Sequence, residues 1–184
     1  MNAGLIASRY ATALMEFATA NKAVDAVYAQ AKSIINHPVP YRQIRGALEN
    51  PSLKKEDKKK IILLAAGNNA SDIFNRFTDL LLDNNREGYL QTILLKFIDL
   101  YRDKNGIHHA KLTTAAEPDP KTEKRVIELV GATIGGKVEL ERKINADILG
   151  GFLLEVDGRL FDASIHNQLK RIKTDYIEKN KSIL

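Results

Sequence analysis

The 184-residue chain carries 28 Lys+Arg against 23 Asp+Glu, with 44% hydrophobic residues and neither Cys nor Trp. That length suits one or two domains with their own cores, and the missing Cys removes disulfides, thiolate metal ligands and thiol nucleophiles. The +5 net charge is thinly spread, with 15 basic against 11 acidic residues up to Asn105 and 13 against 12 beyond it, which is no strong nucleic-acid footprint.

The first 105 residues read as helices in close succession. On a helical wheel with Ile6 at zero, Ala13, Phe17, Tyr10 and Leu14 fall within about 100° of arc, the width of one core-facing stripe. Ala7, Ala18 and Ala11 widen that arc by about another 60°. The extra width is lined with alanine, either for a close contact inside the bundle or as a groove for a partner helix. Val24, Val27, Tyr28, Ala31 and Ile34 mark a second helix ending before His37-Pro38, and a short third runs from Tyr41 to Leu48. Asn50-Pro51-Ser52 supplies a cap candidate and a proline suited to a helix start. The fourth helix carries Ile61, Ile62, Leu64 and Ala65 and ends near Gly67-Asn68-Asn69. Ser71 caps a fifth, with Ile73, Phe74, Phe77, Leu80 and Leu81 on one side, and Leu90 to Tyr101 forms a sixth that ends at Asn105-Gly106.

After Gly106 the period changes. Ile107 to Ala115 reads as a strand, and Asp119-Pro120 opens a helix through Ile134 that Gly135-Gly136 stops. Lys137 to Lys143 alternates as a half-buried strand. Gly151–Val156 and Arg159–Asp162 are two strands joined by Asp157-Gly158, a strong hairpin signal. A two-residue turn there sets Val156 opposite Arg159 and Leu154 opposite Phe161, with Phe152, Leu154, Val156 and Phe161 on one face toward the flanking helices. Ser164 caps a last helix with a narrow stripe of Ile165, Leu169, Ile172 and Tyr176. The expectation is therefore an α+β chain of two domains: a six-helix bundle over residues 1–105 and a small α/β domain of order β-α-β-β-β-α over 106–184.

No motif here carries chemistry. GATIGGKV (Gly131 to Val138) approaches a phosphate loop, but Val138 stands where the Mg²⁺-binding hydroxyl belongs, and the segment leaves a helix instead of opening one. The lysines of KKEDKKK (Lys54 to Lys60) are interleaved with Glu56 and Asp57 and lack aromatics for stacking, so they read as a solvated helix start. His108 and His109 point to opposite faces of a strand and cannot share a metal, and His37 and His166 have no ligand partners in sequence. Asp147, Asp157 and Asp162 lie near Gly150-Gly151; Asp157 is explained by the turn and Asp162 by the helix start that follows it. No catalytic residues, cofactor or metal are assigned. No apolar run reaches the ~18 residues of a membrane span, and Arg9 interrupts the N-terminus before an export signal develops.

Five segments coincide, in order, with one pattern: SRYATALMEFA, LENPSLKKEDKKKII, LLLDNNREGYLQTILLKFIDLY, AKLTTAAEPD and ILGGFLLEVDGRLFDASIHNQLKRI. Together they resemble the delta subunit of bacterial F-type ATP synthases, the family of the mitochondrial oligomycin-sensitivity-conferring protein, over essentially the whole chain. Ala163 departs from the glycine that many members carry. The resemblance implies a non-catalytic stator subunit that links the catalytic head to the b-subunit peripheral stalk. The resemblance further implies a place at the bacterial inner membrane only indirectly, from the cytoplasmic side. An amphipathic helix at the N-terminus of an alpha subunit would dock on the first and fifth helices, assigned here to Tyr10, Ala11, Leu14 and Ala18 with Ile73, Phe77 and Leu81. The b subunits would engage the C-terminal domain, assigned to Asn167, Lys170, Arg171 and Asp175 of the last helix. The rival readings are a basic nucleic-acid-binding module and an enzyme built around Gly151 and Asp162.

Overall fold

The computed structural model describes residues 3–67, 70–170 and 172–173. The fold is mixed α+β, and the chain divides into two compact units, Met1–Lys104 and Asn105–Leu184. Unit 1 holds α1 (Ala3–Ala20), α2 (Val24–Ile35), α3 (Tyr41–Leu48), α4 (Lys55–Ala66), α5 (Asp72–Asp83) and α6 (Leu90–Asn105), with a 3-10 turn at Glu87–Tyr89 that periodicity does not reveal. They share one core in which Leu14, Ile34, Leu48, Ile62, Phe74 and Phe97 are almost wholly buried.

Capping chemistry sets several boundaries. Ser71 Oγ accepts the Phe74 N–H at 3.3 Å and donates to Gln30 Oε1 at 3.0 Å, so the cap of α5 also ties it to buried Gln30 on α2. Asn50 does not cap α4 as expected. Its Oδ1 accepts the Ser52 N–H at 2.9 Å, and this local turn delays the helix to Lys55. Asn68 and Asn69, at the expected end of α4, lie outside the described residues.

The two edges of the wide apolar arc on α1 are exchanged relative to expectation. Ala7, Ala11 and Ala18 are buried with Leu14, whereas Ala13 and Phe17, placed in the core-facing stripe, are exposed. Alanines on the inner side let neighbouring helices come close, which turns the bulkier edge outward.

The lysine run is also not simply solvated. Lys58 is buried and meets Glu87 of the 3-10 turn at 2.7 Å. Lys59 reaches Asp79 at 2.7 Å and Lys55 reaches Asp83 at 3.2 Å, both on α5. Its position explains Lys58: it lies four residues before buried Ile62, on the inward face of α4. Glu87 Oε2 is buried without a hydrogen-bond partner, so the pair is incompletely satisfied.

Unit 2 contains β1 (Ile107–Thr114), α7 (Pro120–Ile134), β2 (Lys137–Ile144), a 3-10 turn (Ala146–Ile148), β3 (Phe152–Val156) and β4 (Arg159–Asp162), followed by helix at 165–170 and 172–173. The sheet order is β2-β1-β3-β4; β1 and β2 are parallel and the other pairs antiparallel. Parallel neighbours need a crossover, and α7 supplies it. Asp119 accepts the Lys121 N–H at 3.3 Å and Pro120 opens α7, as the sequence suggests. Ala110, Leu112, Val130, Leu154 and Val156 form the core between sheet and helix.

The hairpin register is the expected one, with Val156 opposite Arg159 and Leu154 opposite Phe161. Phe161, however, is 61% exposed. It shares the face of Leu154 but sits on the four-residue edge strand, and its ring lies 6.1 Å from that of Phe152. Tyr176 lies outside the described residues.

Candidate functional site

An open apolar groove of about 300 Å³ runs between α1 and α5, lined by Ala13, Leu14, Phe17, Arg76, Phe77 and Leu80. Ala13 and Phe17 are one turn apart on α1, as are Arg76 and Leu80 on α5, so two outward-facing rows form the lips. Leu14 and Phe77 are almost buried and make the floor. The walls are carbon except at Arg76. Its Nη2 is 3.8 Å from Asp72 Oδ2, a loose pair with both side chains mostly exposed.

The seven residues assigned to a helix-binding surface divide. Leu14 and Phe77 line the groove, and Tyr10 is half-buried beside the core cluster. Ala11, Ala18 and Leu81 are completely buried and Ile73 nearly so, and they hold unit 1 together. Ala13, Phe17, Leu80 and Arg76 line the groove but were not assigned to it. A signal existed for Leu80, which closes the apolar run of α5 on its outer side; none separates Ala13 from Ala11 without knowing which edge of α1 is covered.

Of the four residues assigned to a stalk-binding surface, Asn167 is half-buried, its N–H donating to Ser164 Oγ at 3.2 Å, and Lys170 is exposed. Arg171 and Asp175 lie outside the described residues. Leu160, Phe161, Ile165, Leu169 and Ile172 are exposed apolar side chains of the same unit. Only Ile165, Leu169 and Ile172 among them belong to the expected stripe.

The glycine-rich stretch before β3 is a close backbone joint. Gly151 has φ +73°, and a Cβ there would lie 2.2 Å from the Ala163 carbonyl oxygen. Only glycine fits both demands. Ala163 adopts no positive φ, and its N–H donates to Phe152 O at 2.9 Å, so nothing at this position requires glycine. Asp162 Oδ1 accepts the Ser164 N–H at 2.9 Å, and its hydrogen bonds with Ser164 hold its carboxyl below the usual value. The phosphate-loop look-alike ends α7 and enters β2, with Gly135 at φ +79° and Gly136 at φ +93°.

Asp157 does more than turn the chain. With Gly158 it has positive φ, as a primed hairpin turn requires. Its Oδ2 also lies 2.6 Å from His108 Nδ1, while Oδ1 accepts the His109 N–H at 3.1 Å. Slight burial pushes its carboxyl up, but the hydrogen bonds from His108 and His109 outweigh this and hold it below its ordinary value. The hairpin tip is thereby clasped to the start of β1. On the other side of β1, His109 Nε2 is 3.1 Å from Glu141 Oε2 on β2. These pairs couple strands; they assemble no nucleophile–base set.

The chain matches the family model for the ATP synthase delta (OSCP) subunit over residues 6–175. It is 37% identical to ATP synthase subunit delta of Phocaeicola vulgatus over 185 residues, covering 100% of both chains. It is 35% identical to the subunit of that name from Lactobacillus acidophilus, over 95% of this chain and 96% of the relative. A chain in the cryo-EM structure of the Toxoplasma gondii mitochondrial ATP synthase hexamer shares the fold, with a TM-score of 0.69 and 19% identity over 93% of this chain and 97% of that one. The protein belongs to the ATP synthase delta (OSCP) subunit family.

Proposed function

We propose that the chain is a stator joint of an ATP synthase, a structural subunit that ties the catalytic head to the peripheral stalk. In this reading residues 1–105 act as a six-helix bundle that receives the N-terminal helix of an alpha subunit. Residues 106–184 hold the b subunits through the last helix, around Asn167, Lys170, Arg171 and Asp175. The chain then meets the bacterial inner membrane only through the complex, on its cytoplasmic side. No helix among the described residues is long and apolar enough to cross a membrane.

The observation that carries this reading is the solvent-open apolar groove between α1 and α5. A joint under torque needs burial that does not slip, and it needs no chemistry. Each large apolar side chain that an amphipathic helix seats there contributes about 1.5–3 kcal/mol, offset by the cost of association. The nucleic-acid alternative has no support, since Lys55, Lys58 and Lys59 are engaged by carboxylates of the same chain.

Calorimetry of the full chain with a peptide of the alpha-subunit N-terminus tests the reading. Ala13→Glu should reduce affinity at least tenfold, while charge reversal at Lys170 and Arg171 should weaken b-subunit binding and leave the peptide untouched. Unchanged peptide affinity in Ala13→Glu would refute the groove assignment.

A further inference from the structure

Among the described residues, Arg76 is the only charged one lining the α1–α5 groove. It sits one turn N-terminal to Leu80 on α5, where its stem contributes to a lip and its guanidinium stands at the rim. Its neighbour Asp72 does not neutralise it firmly: the N···O separation is 3.8 Å, and the two side chains are 69% and 87% exposed. Asp72 also occupies the first position of α5, where its charge already faces the helix N-terminus. A helix laid into the groove would remove water from one side of Arg76, and a guanidinium that loses water without gaining an acceptor opposes binding. A carboxylate on the incoming helix, placed beside the apolar side chains that fill the groove, reverses that penalty and can pair through two N–H donors.

We infer that Arg76 selects the docked helix by charge: the helix that fills this groove presents an acidic side chain, flanking its apolar anchors, to the Arg76 guanidinium. The inference rests on the groove reading given above and adds to it a residue that decides which amphipathic helices fit. Apolar filling supplies most of the affinity, and Arg76 supplies discrimination and salt dependence.

The test uses the full chain and a synthetic peptide of the alpha-subunit N-terminal helix, with affinity measured at low and high salt. Arg76→Gln should weaken binding about threefold and flatten its salt dependence, and Arg76→Glu about tenfold at low salt. Changing the peptide's acidic residues to their amides, one at a time, should identify one whose loss costs wild type but not Arg76→Gln. A lysine at that peptide position should restore binding to Arg76→Glu. Leu80→Asp serves as the control for the groove itself, and circular dichroism confirms helicity in each variant. If Leu80→Asp abolishes binding while Arg76→Glu binds like wild type at low salt, the groove reading stands and the charge selection is wrong. If neither variant alters binding, the groove reading and the selection fall together.

Discussion

Unit 1 buries Phe74, Phe97 and Leu90 completely inside a core to which α1, α2, α3, α4, α5 and α6 contribute. Among the described residues of unit 2 the core cluster holds five buried side chains, while Leu160, Phe161 and Ile172 are more than 60% exposed. The first unit is held mainly by this apolar core, joined by polar ties such as Ser71–Gln30 and Lys58–Glu87. The second depends on a few positions of fixed chemistry: Gly151 against the Ala163 carbonyl and Asp157 across His108 and His109. Packing redundancy in unit 1 also leaves apolar surface to spare, and that surplus is the groove.

The sharpest way to break the contrast lies within α1. Ala11→Glu buries an unpaired carboxylate in a fully enclosed site and should cost about 4 kcal/mol, unfolding unit 1 near room temperature. Ala13→Glu, two residues on and exposed, should change stability by no more than about 0.5 kcal/mol while weakening helix docking as stated above. Thermal denaturation separates them; equal melting temperatures would mean that the buried and open edges of α1 are wrongly assigned.

In unit 2 the corresponding test is Gly151→Ala. A positive φ and a collision with backbone together should cost about 3 kcal/mol. Hydrogen exchange should show β3 and β4 losing protection while α1–α6 keep theirs. Equal loss of protection in α1–α6 would contradict a clash confined to Gly151 and its contact with Ala163.

These positions also show what the sequence could reveal. Helical periodicity marks α3 to the residue and places α2 before His37-Pro38, and Asp157-Gly158 sets the hairpin register, because these signals are local. The side of α1 that faces inward is not local. Alanine at 11 and alanine at 13 are chemically identical, and only the neighbouring helices distinguish them. Nor could spacing alone show that Asp157 reaches two histidines 48 and 49 residues earlier, or that Lys58 meets Glu87 across 29 residues. The glycine pair was legible as a turn or close approach, but its partner Ala163 was not.

A smaller effect is expected at the buried ion pair of unit 1. Lys58→Met leaves the Glu87 carboxylate unpaired and should cost about 2 kcal/mol, the desolvation of a group left without its partner. Adding Glu87→Leu should recover most of it, as a double-mutant cycle would register. If the double variant is no better than the single one, the pair shapes the 3-10 turn and is more than a neutralised charge.

The smallest effect is the acid response of the hairpin clasp. The Asp157 carboxyl is lowered in the folded chain, so its contribution is fully present above the unfolded value near 3.8 and is lost as pH falls through the folded value. Asp157→Asn should flatten the stability curve of unit 2 below about pH 4. A variant whose acid limb keeps the wild-type slope would show that the carboxylate charge is not what holds the clasp.

The central claim is that the open edge of α1, facing α5, receives a helix from the catalytic head. Methyl and aromatic NMR of the full chain, titrated with the alpha-subunit N-terminal peptide, addresses it most directly. The largest perturbations should fall on Ala13, Leu14, Phe17, Phe77 and Leu80, with Leu112 and Leu154 of unit 2 unmoved. A peptide that binds while perturbing β4 and the last helix, and leaves α1 and α5 unchanged, would contradict it.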